Sequence, residues 1–312
     1  PLASDVNTII GHIVQLKYDI WAAGGPLVVP APDFPLQFYY NGNRAQIFQI
    51  GGSGDLAELG GTGTLNDYLD AAVEAPTEEL AIENFHKVQE LIYLAGDNFH
   101  MGHQNWVTPF RADDLTGWVI TSGPGLWYST WNFLNVRNAD GTMGGQYTVI
   151  RDREPVSNNP FVAAYMDAES STFGGAGRGL VYESLFYMES PFENLVWVPS
   201  LGESFDLEIT DDGTDITVNL REGVKWHDGE PFTADDVVFS LNAHRDGANV
   251  FTGRLAAGGF TGAEKIDDYT VVAHFTAKSA IVIHYLSMPP IVPEHKWASI
   301  ADRTSYDDPQ PI

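Results

Sequence analysis

Residues 220–241 constrain the fold more than any other stretch, because they combine a strand, a tight turn and a helix start within one short segment. Apolar and polar residues alternate before the turn in this stretch, as a half-buried strand requires. The apolar positions are Val218, Leu220, Val224 and Trp226. The pair Asp228-Gly229 predicts a turn, since glycine adopts positive φ without steric cost. The pattern therefore predicts a strand that turns back sharply before a helix.

The helix after this turn has a well-defined predicted start. Thr233 and Asp236 have the spacing of a capping box, in which each side chain bonds the backbone N–H of the other residue. Phe232 and Val237 have the spacing of a hydrophobic staple around the same start. His227 could bind a metal, but no second ligand lies at a useful spacing on the same element, so we interpret His227 and Asp228 as structural.

The charge balance excludes whole classes of partner. The chain has 16 Lys and Arg against 42 Asp and Glu, a formal net charge of −26 at pH 7. Nucleic-acid binding depends on cationic contacts to phosphate, so we expect no nucleic-acid partner. The same balance disfavours an anionic membrane surface. Two interpretations of the acidity remain open, ordinary solubility and adaptation to high salt or acid.

Cysteine usage and hydropathy suggest a compartment. The 312 residues include no cysteine, so disulfides and thiolate metal sites are excluded. The sequence has no signal peptide and no apolar run of membrane-spanning length. It starts at Pro1 rather than Met, so we expect a processed or partial product, with any lipid or membrane anchor outside this sequence. An extracellular or periplasmic location fits these features.

Composition changes divide the chain into two long segments. Residues 139–145 form a polar, glycine-rich linker, which we predict to separate a segment at 1–138 from one at 146–312. Within 146–312 we expect a small extra domain around 196–290. Predicted elements include helices at 65–75, 77–95 and 180–188, strands at 118–120, 128–136 and 269–275, and a hairpin around Asp211-Asp212-Gly213.

The ordered segments of 144–300 resemble the beginning of a known protein family. The matching stretches are 144–149, 155–160, Leu180-Val-Tyr-Glu-Ser-Leu-Phe186, Pro199-Ser-Leu-Gly-Glu-Ser-Phe205, 220–241, 266–272 and Ile291-Val-Pro-Glu-His295. Together they are similar to the solute-binding proteins of dipeptide, oligopeptide and nickel ABC importers (family 5, cluster C). The resemblance implies an α/β, periplasmic-binding-protein-like fold of two lobes with mixed sheets.

The order of the resembling segments is unexpected. Residues 65–137 resemble the C-terminal end of the same family, with residues 15–50 matching more weakly, so the tail precedes the head. The family's middle, which supplies much of its binding cleft, is absent. We therefore expect a permuted or incomplete fold. Three interpretations remain open: a circular permutant, a piece of a longer tandem chain, or a unit whose missing middle comes from copies of itself or a companion chain.

The resemblance implies a function and a set of ligand contacts. Family members capture a small molecule outside the cell, close two lobes over it and deliver it to the membrane subunits of an ABC importer, without catalysis and without a cofactor. A peptide or an oligosaccharide is the expected ligand. The candidate ligand-binding residues are Trp21, Asp33, Tyr39, Tyr40, Tyr182 and Glu183, with the last two expected on the helix at 180–188. Each could equally serve packing.

Two other classes of function compete with ligand capture. The same fold could serve as an extracellular structural or assembly subunit with segments exchanged between copies, which the permuted order favours. An enzyme is disfavoured, because the sequence has no Gly-x-Ser-x-Gly elbow, His-Glu-x-x-His pair, cysteine nucleophile or P-loop. We therefore predict no catalytic residues and no metal site.

Overall fold

The computed structural model describes residues 65–95, 113–119, 132, 135–144, 160–161, 181–188, 197–247, 255–256, 258–287, 289–300 and 303. They belong to two units of the chain, Pro1–Gly102 and His103–Ile312.

The first unit contains a pair of consecutive helices, α1 (Leu65–Val73) and α2 (Glu78–Ala95). The sequence predicts both, and it also predicts the residue that begins the second. Thr77 Oγ1 accepts a hydrogen bond from the backbone N–H of Leu80 at 3.3 Å, as an N-cap side chain does.

The buried face of α2 differs from the predicted one. The sequence favours a stripe through Ile82, Phe85, Val88 or Gln89, and Ile92, but the Ile82 side chain is 45% exposed. Ala81 is buried in its place, together with Phe85, Val88 and Leu91. Positions i−3 and i−4 both neighbour Phe85 on a helix, so spacing alone could not choose between Ile82 and Ala81.

The second unit is organised around a four-stranded antiparallel sheet. Its strands are β5 (Gly202–Ile209), β6 (Thr214–Leu220), β7 (Phe260–Asp267) and β8 (Thr270–Phe275), in the spatial order β5-β6-β8-β7. A helix, α3 (Ala234–Asp246), packs against β7 and β8. The fully buried residues Ile216, Val218 and Ala273 on the sheet and Leu241 on the helix form the core between these elements.

Both hairpins of the sheet match the sequence pattern. β5 and β6 join at the predicted Asp211-Asp212-Gly213 turn, where the backbone N–H of Thr210 donates to Gly213 O at 2.7 Å. The pair Asp267-Asp268 also predicts a turn, and β7 and β8 join there. The strand predicted at 224–226 is wrong: Lys225 and Pro231 form only an isolated bridge, because the chain reverses at Asp228-Gly229 before a ladder can extend.

Two short strands of this unit differ from the predicted elements. β1 (Leu115–Thr116) pairs with β2 (Arg137–Asn138). Strand β1 therefore lies before the predicted range 118–120, of which residues 118 and 119 are not in a strand. The strand predicted at 128–136 is wrong at its described positions, since Asn132 and Asn135 are helical and Val136 N–H donates to Asn132 O at 2.8 Å. The segment that follows β2 is turn-rich as expected, whereas the domain limits at 139–145 stay a prediction.

Residues 181–188 are not the predicted helix. An irregular segment leads into β3 (Phe186–Met188), which pairs with β4 (Trp197–Pro199). Leu185 and Phe186 are buried, so tertiary pairing of a short apolar run overrides its local helix pattern. Two short helices, α4 (Val282–Leu286) and α5 (Glu294–Trp297), complete the described elements.

The mixture of helices and antiparallel strands confirms the predicted α/β class, while the permuted order stays a prediction. Among the described residues, no helix combines the length and the apolar character that crossing a membrane requires.

Candidate functional site

The loop between β6 and α3 is the centre of the most informative sequence motif, and it folds as a tight reversal. The backbone N–H of Trp226 donates to Glu230 O at 2.9 Å, and the backbone N–H of Phe232 donates to Val224 O at 3.0 Å. Gly229 lies at the tip with φ of 94°, which favours glycine. Asp228 Oδ1 accepts the backbone N–H of Glu230 at 3.2 Å, so the Asp228 side chain shapes the turn.

Asp236 connects this loop to the start of α3. Its side chain is buried, and Oδ2 accepts two hydrogen bonds, from Trp226 Nε1 at 3.1 Å and from the backbone N–H of Thr233 at 3.0 Å. The second bond is the predicted capping-box contact. A carboxylate in the first turn of a helix is also stabilised by the helix dipole.

The other oxygen of Asp236 reaches a distant part of the chain. Oδ1 accepts the backbone N–H of Glu294 at 2.8 Å. One buried carboxylate therefore joins the loop at 225–231, the start of α3 and the start of α5. We call this set of contacts the Asp236 anchor.

Two further polar residues on the same face of α3 extend the anchor. Ser240 Oγ donates to Asp236 O at 2.7 Å and accepts the backbone N–H of Val292 at 2.9 Å. His244 Nε2 lies 3.1 Å from Pro290 O, and must donate there because a carbonyl only accepts. Asp236, Ser240 and His244 follow one another at four-residue spacing, so they lie on one face of the helix. Together they bind the extended segment 289–294 along its backbone.

A surface contact ties the loop to α5. Asp228 Oδ2 lies 2.7 Å from His295 Nε2 and 3.1 Å from Lys296 Nζ. The His295 and Lys296 side chains hold the pKa of the Asp228 carboxyl well below its usual range. The predicted structural role of Asp228 is confirmed by these contacts, whereas His227 is exposed.

Tyr182 and Glu183, two of the six candidate ligand contacts, lie beside the anchored segment. The Tyr182 ring packs on a buried cluster of Phe161, Val292 and Trp297. Burial raises the pKa of the Tyr182 hydroxyl, and the neighbouring Trp297 side chain opposes this shift. The helix expected to carry both residues is absent from 181–188, so the two side chains are positioned by an irregular segment instead.

Glu183 has a structural partner for its carboxylate. Oε2 accepts the hydroxyl of Ser200 at 2.7 Å, and the backbone O of Glu183 accepts the N–H of Ile291 at 2.8 Å. Ligand contact by Tyr182 or Glu183 stays a prediction. Trp21, Asp33, Tyr39 and Tyr40 lie outside the described residues, so their roles also stay predictions.

Sequence reasoning missed Ser240 and His244 as anchor residues. The available signal was a polar stripe at four-residue spacing on a helix whose other buried residues are apolar. It also missed a group of rings beside β4, where Trp197 lies 4.9 Å from His284 and 6.3 Å from Phe205 between ring centroids. Among the described residues, no group of His, Asp and Glu is arranged to hold a metal ion.

Comparison with known sequences finds proteins similar to the segment that contains the anchor. Residues 196–312 match the sequence model of bacterial extracellular solute-binding proteins, family 5, middle part. A protein described as a putative ABC transporter peptide-binding protein in Brucella ovis is 36% identical over 164 residues, which are 52% of this chain and 28% of that protein. A periplasmic alpha-galactoside-binding protein of Rhizobium meliloti is 31% identical over 144 residues, which are 43% of this chain and 20% of that protein.

Similar solved structures include the oligopeptide-binding protein AppA of Bacillus subtilis with a nonapeptide, 26% identical, covering 48% of this chain and 28% of that one with a TM-score of 0.37. The chain thus spans between a fifth and a third of the length of the relatives named above. The match of 196–312 falls on the sheet, α3 and the anchored segment. This part of the chain is therefore similar in sequence to the middle part of bacterial extracellular solute-binding proteins of family 5.

Proposed function

We propose that the chain belongs to an extracellular or periplasmic solute-binding protein that captures a peptide or an oligosaccharide for an ABC importer. The observation that carries this proposal is the family match over 196–312, the segment built around the Asp236 anchor. Capture requires two lobes that close over the ligand, and the ligand favours closure because it contacts both of them.

The anchor suits this role because a closing lobe must move as a rigid body. The segment 289–294 is distant in sequence from the loop at 225–231 and from helix α3, yet one face of this helix holds both the loop and the segment. The polar side chains of the anchor bond backbone groups and the Trp226 indole, so the arrangement supports rigidity of this part of the chain. The structural role of this motif leaves the ligand contacts to other residues.

Those contacts are proposed at Trp21, Asp33, Tyr39, Tyr40, Tyr182 and Glu183. A carboxylate at Asp33 would pair with the amino terminus of a peptide, and a charge-assisted hydrogen bond of that kind contributes about 1.5–3 kcal/mol. Trp21 and the two tyrosines would stack on a sugar ring or bracket a peptide. One relative is named as a peptide-binding protein and another as an α-galactoside-binding protein, so we propose both ligand classes for this chain.

Calorimetric titration of the 312-residue chain with short peptides, their N-acetylated forms and α-galactosides tests the proposal. If a peptide is the ligand, we expect Asp33→Asn to weaken binding of the free peptide by about tenfold or more, since it removes the charge partner of the amine. Affinity for the acetylated peptide, which has no amine charge, should change little. If a sugar is the ligand, Trp21→Ala should weaken binding and Asp33→Asn should not. Absence of binding to every compound would contradict capture by this chain.

The membrane subunits of an ABC importer are the proposed partners, and copies of the chain or a companion chain are the proposed source of the rest of the binding cleft. Light scattering during gel filtration tests the second point. A discrete monomer that binds ligand would contradict both a supplied part of the cleft and the alternative role as an assembly subunit. A stable oligomer that binds ligand only when assembled would support a supplied part of the cleft.

A further inference from the structure

The outer edge of β7 is occupied by side chains of the neighbouring helix. β7 stands at one end of the described sheet, where alternate residues of a strand direct their N–H and C=O groups away from the sheet. At Ala263, Asn242 takes both groups: the backbone N–H donates to Asn242 Oδ1 at 3.2 Å, and Asn242 Nδ2 donates to Ala263 O at 3.3 Å. Arg245 Nη1 donates to Thr261 O two residues earlier. We call Asn242 and Arg245 the edge clasp.

A glycine on the strand makes room for the clasp. A Cβ atom at Gly262 would lie 3.1 Å from Arg245 Nη1 and 3.4 Å from Asn242 Oδ1, which is tight for both side chains. The strand is irregular at this point, with a register shift between Phe260 and Gly262. Asp246 holds the guanidinium of Arg245 in place through bonds of 2.6 and 2.9 Å.

The clasp imitates a paired strand. A carboxamide presents one acceptor and adjacent donors, which is the pair of groups that a residue of an added antiparallel strand would offer to Ala263. An edge strand with open N–H and C=O groups is a template for pairing with another chain. Asn242 therefore stands where the first hydrogen-bonded residue of an added strand would stand.

We propose that the edge clasp closes β7 against addition of the same strand from a second copy of this chain. The sequence of β7 makes a second copy the suitable occupant. Antiparallel pairing centred on Ala263 places Thr261 of one copy opposite Lys265 of the other, and Gly262 opposite Glu264, so no like charges face each other. The clasp is then the contact that prevents this pairing.

Removal of both clasp side chains tests the proposal. The weight-average mass of Asn242→Ala/Arg245→Ala should rise with concentration by up to about twofold relative to the unchanged chain, measured by light scattering over a roughly hundredfold dilution series. Amide hydrogen exchange in 260–267 should be faster than in the unchanged chain at low concentration and should slow again as the variant associates. An unchanged mass with faster exchange would overturn the proposal, because the edge would then be open without pairing.

The register of the pairing gives a sharper test. In the double variant, Thr261→Lys would place a lysine opposite Lys265 of the second copy and should abolish association, whereas Thr261→Glu should strengthen it. Equal masses for these two variants would overturn the proposed pairing. Both lose the same Thr261 hydroxyl contact with His274 O, so they are matched apart from charge.

Two further variants separate association from misfolding. Asn219→Ala removes a side-chain hydrogen bond of 3.0 Å to Ser204 on the same sheet and leaves β7 unchanged. This variant should keep the mass of the unchanged chain. Gly262→Val keeps both clasp residues but leaves them no room, and should associate like the double variant. Association of Asn219→Ala to the same extent would contradict a role specific to the clasp.

Discussion

Asp236 Oδ1 accepts the backbone N–H of Glu294 at 2.8 Å, across 58 residues of sequence. The same carboxylate accepts Trp226 Nε1 and the Thr233 N–H through its other oxygen, so all three partners are donors. A buried carboxylate surrounded by donors is well matched, since it can only accept. This relationship explains why the loop, the helix start and the distant segment have a fixed geometry.

Asp236→Asn should destabilise the protein although the amide has nearly the same shape. One of the two oxygens becomes an NH₂ group facing an N–H donor, which leaves a buried donor unsatisfied and costs about 3 kcal/mol in the free energy of unfolding. Denaturant unfolding measures the loss. Asp235→Asn, one residue away, is the matched control: its ion pair with Lys265 lies at the surface, so we expect a much smaller loss. Equal losses would contradict the anchor.

Ser240→Ala should cost about 1–3 kcal/mol in the free energy of unfolding, because the backbone N–H of Val292 loses its acceptor in a buried site. Ser204→Ala on the exposed side of β5 should stay within about 0.5 kcal/mol. Hydrogen exchange of the Val292 amide provides an independent readout. Its rate should rise in the Ser240 variant alone, and an unchanged rate would mean that another group holds the segment.

Acid should weaken the contact between Asp228 and α5. The pKa of Asp228 is lowered in the folded protein by His295 and Lys296, so the stabilisation is fully present above the unfolded value of about 4 and is lost as the pH falls through the lower folded value. Asp228→Asn should therefore lower the melting temperature at neutral pH and have a smaller effect in strong acid. Thermal unfolding at several pH values measures this difference.

The partners of Asp228 offer the matching control for that pH series. His295→Gln/Lys296→Gln removes both side-chain partners of Asp228 but keeps the carboxylate, and should show the same decline in effect as the carboxylate is protonated in strong acid. A destabilisation by Asp228→Asn that is equal at neutral pH and in strong acid would instead show that the negative charge of Asp228 does not stabilise the fold.

Gly213 and Gly223 allow a backbone clash to be separated from backbone strain. Both have positive φ, 153° and 74°, but only at Gly213 would a Cβ atom overlap another group, the backbone O of Phe275. Gly223→Ala should cost about 1 kcal/mol for strain alone, whereas Gly213→Ala should cost about 2 kcal/mol more and disturb the β5–β6 turn. Equal costs by denaturant unfolding would show that the strand end moves aside without penalty.

Helix caps and tight turns were predicted correctly from the sequence, because each depends on residues that are neighbours in the chain. The cap at Thr77, the capping box at Thr233 and the turn around Gly213 each depend on residues within a few positions, and each is present in the structure. The wrong helix prediction at 180–188 has the opposite cause. Phe186 pairs with Pro199 on a separate strand, and no pattern within the short apolar run reveals that partner.

The anchor could be recognised as a motif but not as a contact. Trp226 and Asp236 fall in the stretch that carried the family resemblance, yet the bond from Asp236 to Glu294 spans 58 residues and involves only a backbone atom of Glu294. Ser240 bonds Val292 in the same way across 52 residues. A side chain that binds distant backbone leaves no partner residue type for a sequence pattern to detect.

The hydrogen bonds from α3 to the backbone of 289–294 have an evolutionary consequence. Asp236 and Ser240 hold this segment through the backbone N–H groups of Glu294 and Val292, and His244 holds it through the carbonyl of Pro290. None of these bonds depends on the side chain carried by the segment itself. Positions 289–292 are buried, so only the partly exposed Pro293 and Glu294 are free to acquire new chemistry while the path of the segment across the helix stays the same.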